Sequence, residues 1–192
     1  MKTPFHKKLY NATQKQHIAV EQVFNFSNKL NAENLHLFLH TMYETRCHYK
    51  AILESLEERC GVATYHNNLL EALRKDLEGS DFHLPKEFNT SQINVNVNDW
   101  DSSKALGVFY VLAGSSAGAK VILSMIKKFS IDSPLNYFNA MSASSKDQMA
   151  TFHELLAKLN FVDDNVIKAA QETFDFIQNT ASNGLRQRDT KI

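Results

Sequence analysis

Apolar residues recur at three- and four-residue steps along most of the chain, the spacing that lines up one face of an α-helix. Strict alternation, the mark of a half-buried strand, is confined to a short piece at Ile93, Val95 and Val97. The pattern predicts helices over about 4–27, 32–59, 62–78, 102–130, 144–160 and 163–180. Asn31 is placed to cap the second of these, with Ala32 and Glu33 in its first turn. Gly61 and Gly79 stand where the second and third helices should stop, and Ser133-Pro134 breaks the chain after the fourth. From Gly79 to Ser103 the text turns to Asn, Asp and Ser around Pro85, which predicts one long loop. Residues 181–192 read as a polar, frayed tail beyond a helical domain of residues 1–180. The expected fold is an all-α, single-domain multi-helix bundle.

Composition supports that picture and narrows the partners. Only 6 Gly and 3 Pro interrupt 192 residues, of which 43% are hydrophobic, enough for one packed domain and short of two. Lys plus Arg and Asp plus Glu each number 21. A balanced charge gives no reason to expect nucleic acid or an anionic membrane as partner. The two cysteines, Cys47 and Cys60, lack CxxC spacing and read as reduced structural thiols. Lys2, Lys7 and Lys8 are followed by no apolar segment of signal-peptide type, and no long uninterrupted apolar run suggests a bilayer span. A cytoplasmic location is expected.

Candidate chemistry begins at His17. On a helical wheel Tyr10, Thr13, Val20 and Phe24 fall on its side, so His17 is expected to face inward. Glu21 follows at i+4, where a carboxylate can accept the second imidazole N–H and fix the tautomer that leaves the other nitrogen free as a metal ligand. Such a pair is more often a satisfied structural histidine, so a second feature is needed.

That feature is the run from residue 113 to residue 119, Ala-Gly-Ser-Ser-Ala-Gly-Ala, set between bulky apolar residues. Each interior glycine costs a helix roughly 1 kcal/mol relative to alanine, so Gly114 and Gly118 together cost about 2 kcal/mol. Small residues allow either close helix packing or approach to a flat ligand, and glycine also permits a kink. Seven in succession clear more than one face, which suits a planar ligand better than one neighbouring helix.

An inward His with Glu at i+4 in the first helix, then a glycine helix about 100 residues later, resembles the layout of the haem oxygenases. Leu9 through Glu21 (LYNATQKQHIAVE) is similar to the opening of the bacterial, biliverdin-producing branch associated with phytochromes. Ala105 through Ile122 (ALGVFYVLAGSSAGAKVI) is similar to its distal helix, typically ALGxLYVLEGSTLGGRVI, and residues 169–176 echo its final helix. The resemblance implies a haem-oxygenase-type bundle in which haem is both cofactor and substrate, opened by O2 to biliverdin with release of CO and iron. It implies an external electron donor such as ferredoxin or a reductase. His17 would be the iron ligand and Glu21 its partner. Tyr10, Thr13, Tyr110 and Phe174 would contact haem, while Gly114, Ser115 and Gly118 would form the distal, catalytic side. Three residues depart from the pattern: Ala119 for glycine, Lys120 for arginine, and Tyr10 where a basic residue often meets a haem propionate. Lys7, His153 or Lys158 are candidates for that charge. The departures keep open a haem-binding or haem-sensing protein without turnover.

A metal site on the second helix is the other reading to weigh. Glu33, His36, His40, Glu44 and His48 include ExxH and HxxxH spacings, but they lie opposite the stripe of Leu35, Phe38, Leu39, Met42, Tyr49 and Leu53. They are expected on a solvated face, and the second ExxH of a di-iron bundle is missing.

Overall fold

The computed structural model describes residues 4–26, 30–78 and 100–189, with side chains as far as residue 186. Among these residues there are eight helices and no strand: α1 (Pro4–Phe24), α2 (Ala32–His48), α3 (Lys50–Cys60), α4 (His66–Leu77), α5 (Ser102–Ala117), α6 (Ala119–Lys128), α7 (Asn136–Lys158) and α8 (Asp163–Asp189). The protein is all-α. Gly79 and the Ile93, Val95, Val97 piece lie outside the described residues.

Local chemistry explains the boundaries. Asn31 caps α2 by accepting from Asn34 N at 2.8 Å. Gly61 ends α3 in the left-handed region, at φ 63°, where a side chain would be strained. Asp101 caps α5, accepting from the backbone N–H groups of Ser103 and Lys104. The start of α7 is capped from another helix. The Asp76 carboxylate of α4 is buried and accepts from Asn136 N at 3.1 Å and Tyr137 N at 2.8 Å.

α5 runs through the centre. Leu106, Phe109 and Leu112 are buried on it, and α7 and α8 pack against it. The crossing with α8 turns on Gly107, where an added Cβ would lie 2.6 Å from Val166 O and 2.8 Å from Ala170 N. On another side Ser116 is fully buried and accepts from Gln148 Nε2 of α7 at 3.0 Å.

Five expectations need correcting. The helix expected over 102–130 is divided at Gly118, whose N–H turns to Ser115 O at 3.3 Å, three residues back instead of four. The helix expected over 32–59 is divided at Tyr49. α7 begins at Asn136, not 144, because Asp76 supplies its cap. α8 continues to Asp189 through the stretch read as a frayed tail, with Ala181 fully buried. The histidine face of α2 is not solvated. His40 and Glu44 are each 18% exposed and 3.3 Å apart, and His48 stacks on Phe176 of α8 at 4.1 Å. Burial lowers the pKa of His40 and His48 and raises that of Glu44. α8 packs on α2 and reaches this face through Phe176.

The reading that no segment suits a bilayer also changes. Ser102–Lys128 is long and apolar enough to cross a membrane by length and composition, yet most of its apolar stretch is buried inside the molecule.

Candidate functional site

α1 and the α5–α6 junction face each other across an apolar trough of about 390 Å3, with α8 contributing Phe174 and Ile177. Amphipathicity places α1 there. Its positions 6, 10, 17, 20, 21 and 24 return to one face every three or four residues and line the space. From the other side come Tyr110, Val111, Gly114, Ser115, Ala117 and Gly118.

The two glycines are not used for helix packing. A Cβ on Gly114 would meet nothing within 4 Å, and one on Gly118 would meet only Ser115 O at 3.6 Å, an ordinary contact. Gly118 has φ −75° and ψ −16°, a conformation open to any residue, so its backbone does not demand glycine. What the pair provides is bare backbone beside open space.

His17 lines the trough but stands at its rim, not in the core: its side chain is 56% exposed. The expected inward placement is therefore corrected to a rim position, because the space beside it opens to solvent. One edge of the ring meets Phe174, with centroids 5.8 Å apart and planes at 86°. Glu21 Oε1 is 3.8 Å from His17 Nδ1, an ion-pair distance too long for a hydrogen bond. The carboxylate is near enough to draw up to the ring without holding it.

The remaining candidates fall in several places. Tyr10 is exposed on the rim, and Tyr110 is buried in the wall. Burial raises the Tyr110 phenol above its ordinary pKa, and the polar contact with the Thr13 hydroxyl opposes the shift. Thr13 lies behind the lining, its hydroxyl donating to Leu9 O at 2.9 Å. Ser115 lines the trough while its hydroxyl donates to Leu112 O at 2.7 Å. Ala119 is fully buried, so its extra methyl points into the protein, and Lys120 is exposed. Of the groups weighed for a propionate, Lys7 is exposed, Lys158 is engaged by Glu154, and His153 is paired with another histidine.

That partner, His6, was missed by the sequence reading. It is buried, lines the trough, and its Nδ1 lies 3.3 Å from His153 Nε2. The signal was available: eleven residues before His17 is just over three full turns, which returns to the same face. The aromatic end of the trough, Phe24, Phe26 and Phe38, was equally periodic but looked like ordinary core.

The donor set fits an iron porphyrin in kind. One imidazole at the rim has a carboxylate one turn on, opposite a patch of backbone that carries no side chain. No group of three or more His, Cys, Asp or Glu suited to a bare metal ion occurs among the described residues. Comparison with protein-family models, with curated proteins and with solved structures finds no match for this chain.

Proposed function

We propose that the trough binds haem through His17 and that the protein is a haem oxygenase of the bacterial, biliverdin-producing kind, with the matching bundle fold. One observation carries this reading: His17 and the side-chain-free backbone at Gly114 and Gly118 line the same apolar space from opposite helices. Haem, when bound, would supply the iron at which O2 is reduced, and its macrocycle would be the substrate, opened to biliverdin with release of CO and iron. Electrons would come from an external donor such as ferredoxin or a reductase.

The chain's own residues have separable parts in this. His17 offers one nitrogen to iron, and Glu21 would favour the tautomer that leaves that nitrogen unprotonated. Phe174, edge-on to the imidazole, limits its rotation. Gly114 and Gly118 leave room on the opposite side. Val20, Phe24 and Phe38 exclude water from one end of the space.

Ser115 favours a second reading, haem retention without turnover. Its proton is committed to Leu112 O, so it has only lone pairs to present on the distal side. One experiment separates the two. Haem is titrated into the protein, a reductant is added in air, and absorbance is followed. Under the first reading a Soret band forms and decays into a biliverdin spectrum. A Soret band that persists gives the second. No Soret band, or a ferric spectrum unchanged in His17→Ala and insensitive to added imidazole, overturns the assignment.

A further inference from the structure

α6 packs chiefly on α7, burying Ala119 and Ile126. Its outer face carries Val121, 62% exposed, and two turns on, at the C-cap, Phe129, 55% exposed, with the partly buried Met125 between them. Steps of four residues set these three on one stripe. The stripe starts at the trough, since Gly118 and Ile122, within a turn of Val121, line that space. The neighbouring arc of the helix carries Lys120, Lys127 and Lys128, all exposed. Lys128 Nζ lies 5.4 Å from the centre of the Phe129 ring. Single exposed apolar side chains are ordinary. A run of them on one face of an amphipathic helix, bordered by lysines, is the pattern of a helix that lies in a lipid headgroup layer.

The formal charge of the chain is balanced, but its distribution is not. No Asp or Glu occurs from Ser102 to Ile131, so α6 carries positive charge alone. The residue types then separate the occupants such a face could take. Protein interfaces are rich in Tyr, Trp and Arg and poor in Lys, whereas α6 has lysine and none of those three. A second copy docked face to face would bring the lysines of both chains together. An anionic bilayer surface suits both arcs at once. Its headgroup phosphates take the ammonium groups, and its acyl boundary takes Val121, Met125 and Phe129.

We propose that α6 docks the protein on an anionic membrane surface, with Val121, Met125 and Phe129 in the interface and Lys120, Lys127 and Lys128 on the lipid phosphates, so that the mouth of the trough opens toward the bilayer. A ligand dissolved in the bilayer then reaches the trough without crossing water. That delivery rests on the trough being a ligand site; the docking does not.

The test sediments the full chain with vesicles of phosphatidylcholine alone and with vesicles containing about 30 mol% phosphatidylglycerol, at about 50 mM salt. Affinity for the anionic vesicles should exceed that for the neutral ones by about tenfold or more, and fall several-fold at about 0.5 M salt. The double variant Val121→Ser/Phe129→Ser and the triple variant Lys120→Gln/Lys127→Gln/Lys128→Gln should each lose about tenfold or more of that affinity. These positions are exposed, so both variants should keep the wild-type urea midpoint. Phe129→Ser alone reads the stripe should the double variant fail to fold. Equal affinity for the two kinds of vesicle, no affinity for either, or binding that survives in either variant overturns the proposal. A wild-type dimer that the double variant makes monomeric overturns it too, by giving the stripe to a second copy. A second arm reads delivery. Haem carried in anionic vesicles should transfer to the wild type at a rate that rises with vesicle concentration, and to the double variant more slowly, although both bind haem equally from solution. Equal transfer rates overturn the orientation of the mouth. Vesicle binding by a chain that takes up no haem leaves the docking in place and sinks the haem reading alone.

Discussion

Gly107 and Gly114 lie two turns apart on α5, and a methyl added at each would meet opposite surroundings. At Gly107 it would press on Val166 O at 2.6 Å and on Ala169 Cβ at 2.7 Å. At Gly114 it would meet nothing within 4 Å. Both glycines cost the helix about 1 kcal/mol in propensity. At Gly107 close approach of α8 offsets that cost within the folded protein. At Gly114 no described residue does, and a ligand in the trough is the compensation that the proposed function would supply. One helix thus packs tightly at Gly107 and presents bare backbone at Gly114.

The largest expected effect tests the packed side. His66 is fully buried on α4, and burial, with Arg46 and Lys50 adding to it, lowers its pKa from 6.5 to about 3. Between those values the unfolded chain holds the proton and the folded one does not. Stability therefore falls as pH drops from 6.5 toward 3, by roughly 4 kcal/mol over the whole window. Urea midpoints across pH should show this slope, and His66→Leu should remove most of it. Gly107→Ala comes next, with a loss of about 1–3 kcal/mol, since the obstruction is backbone and cannot swing aside. Equal midpoints for wild type and Gly107→Ala would erase the contrast along α5.

The bare backbone at Gly114 should respond through the ligand. Gly114→Leu fills open space, so the midpoint should hold or rise by some tenths of a kcal/mol while haem affinity falls at least about tenfold. If affinity is retained, the ligand does not approach that backbone. The smallest effect is expected from Gly118→Ala, a gain of up to about 1 kcal/mol in stability. Biliverdin yield should fall by more than haem affinity, because the iron bond comes from the other wall. Yield and affinity measured on one preparation decide it.

How far the sequence was legible differs between these regions for physical reasons. Six predicted segments account for the eight helices because local periodicity survives folding. The cuts at Tyr49 and Gly118 were not legible, since each is a small dihedral departure inside an apolar run. The start of α7 was hidden because its cap, Asp76, lies 60 residues away in sequence. Spacing gave an inward direction for His17 and a small-residue stretch around Gly114 and Gly118, and the resemblance set them on one space; the exposure of His17 was not legible, because a wheel gives direction and not depth. The α2 histidines misled for a related reason. A polar stripe announces solvent only if no other helix covers it, and α8 does.

The Asp76 cap has a consequence for assembly. α7 does not define its own beginning; a carboxylate from the first half of the chain does so, across the join between Glu78 and Trp100. The trough is divided in the same way, with α1 from one half and α5 from the other. Cut between those two residues, the chain would yield two fragments, each holding what the other lacks. They should reassemble when mixed, and any molecule that spans the trough should act as the glue between them.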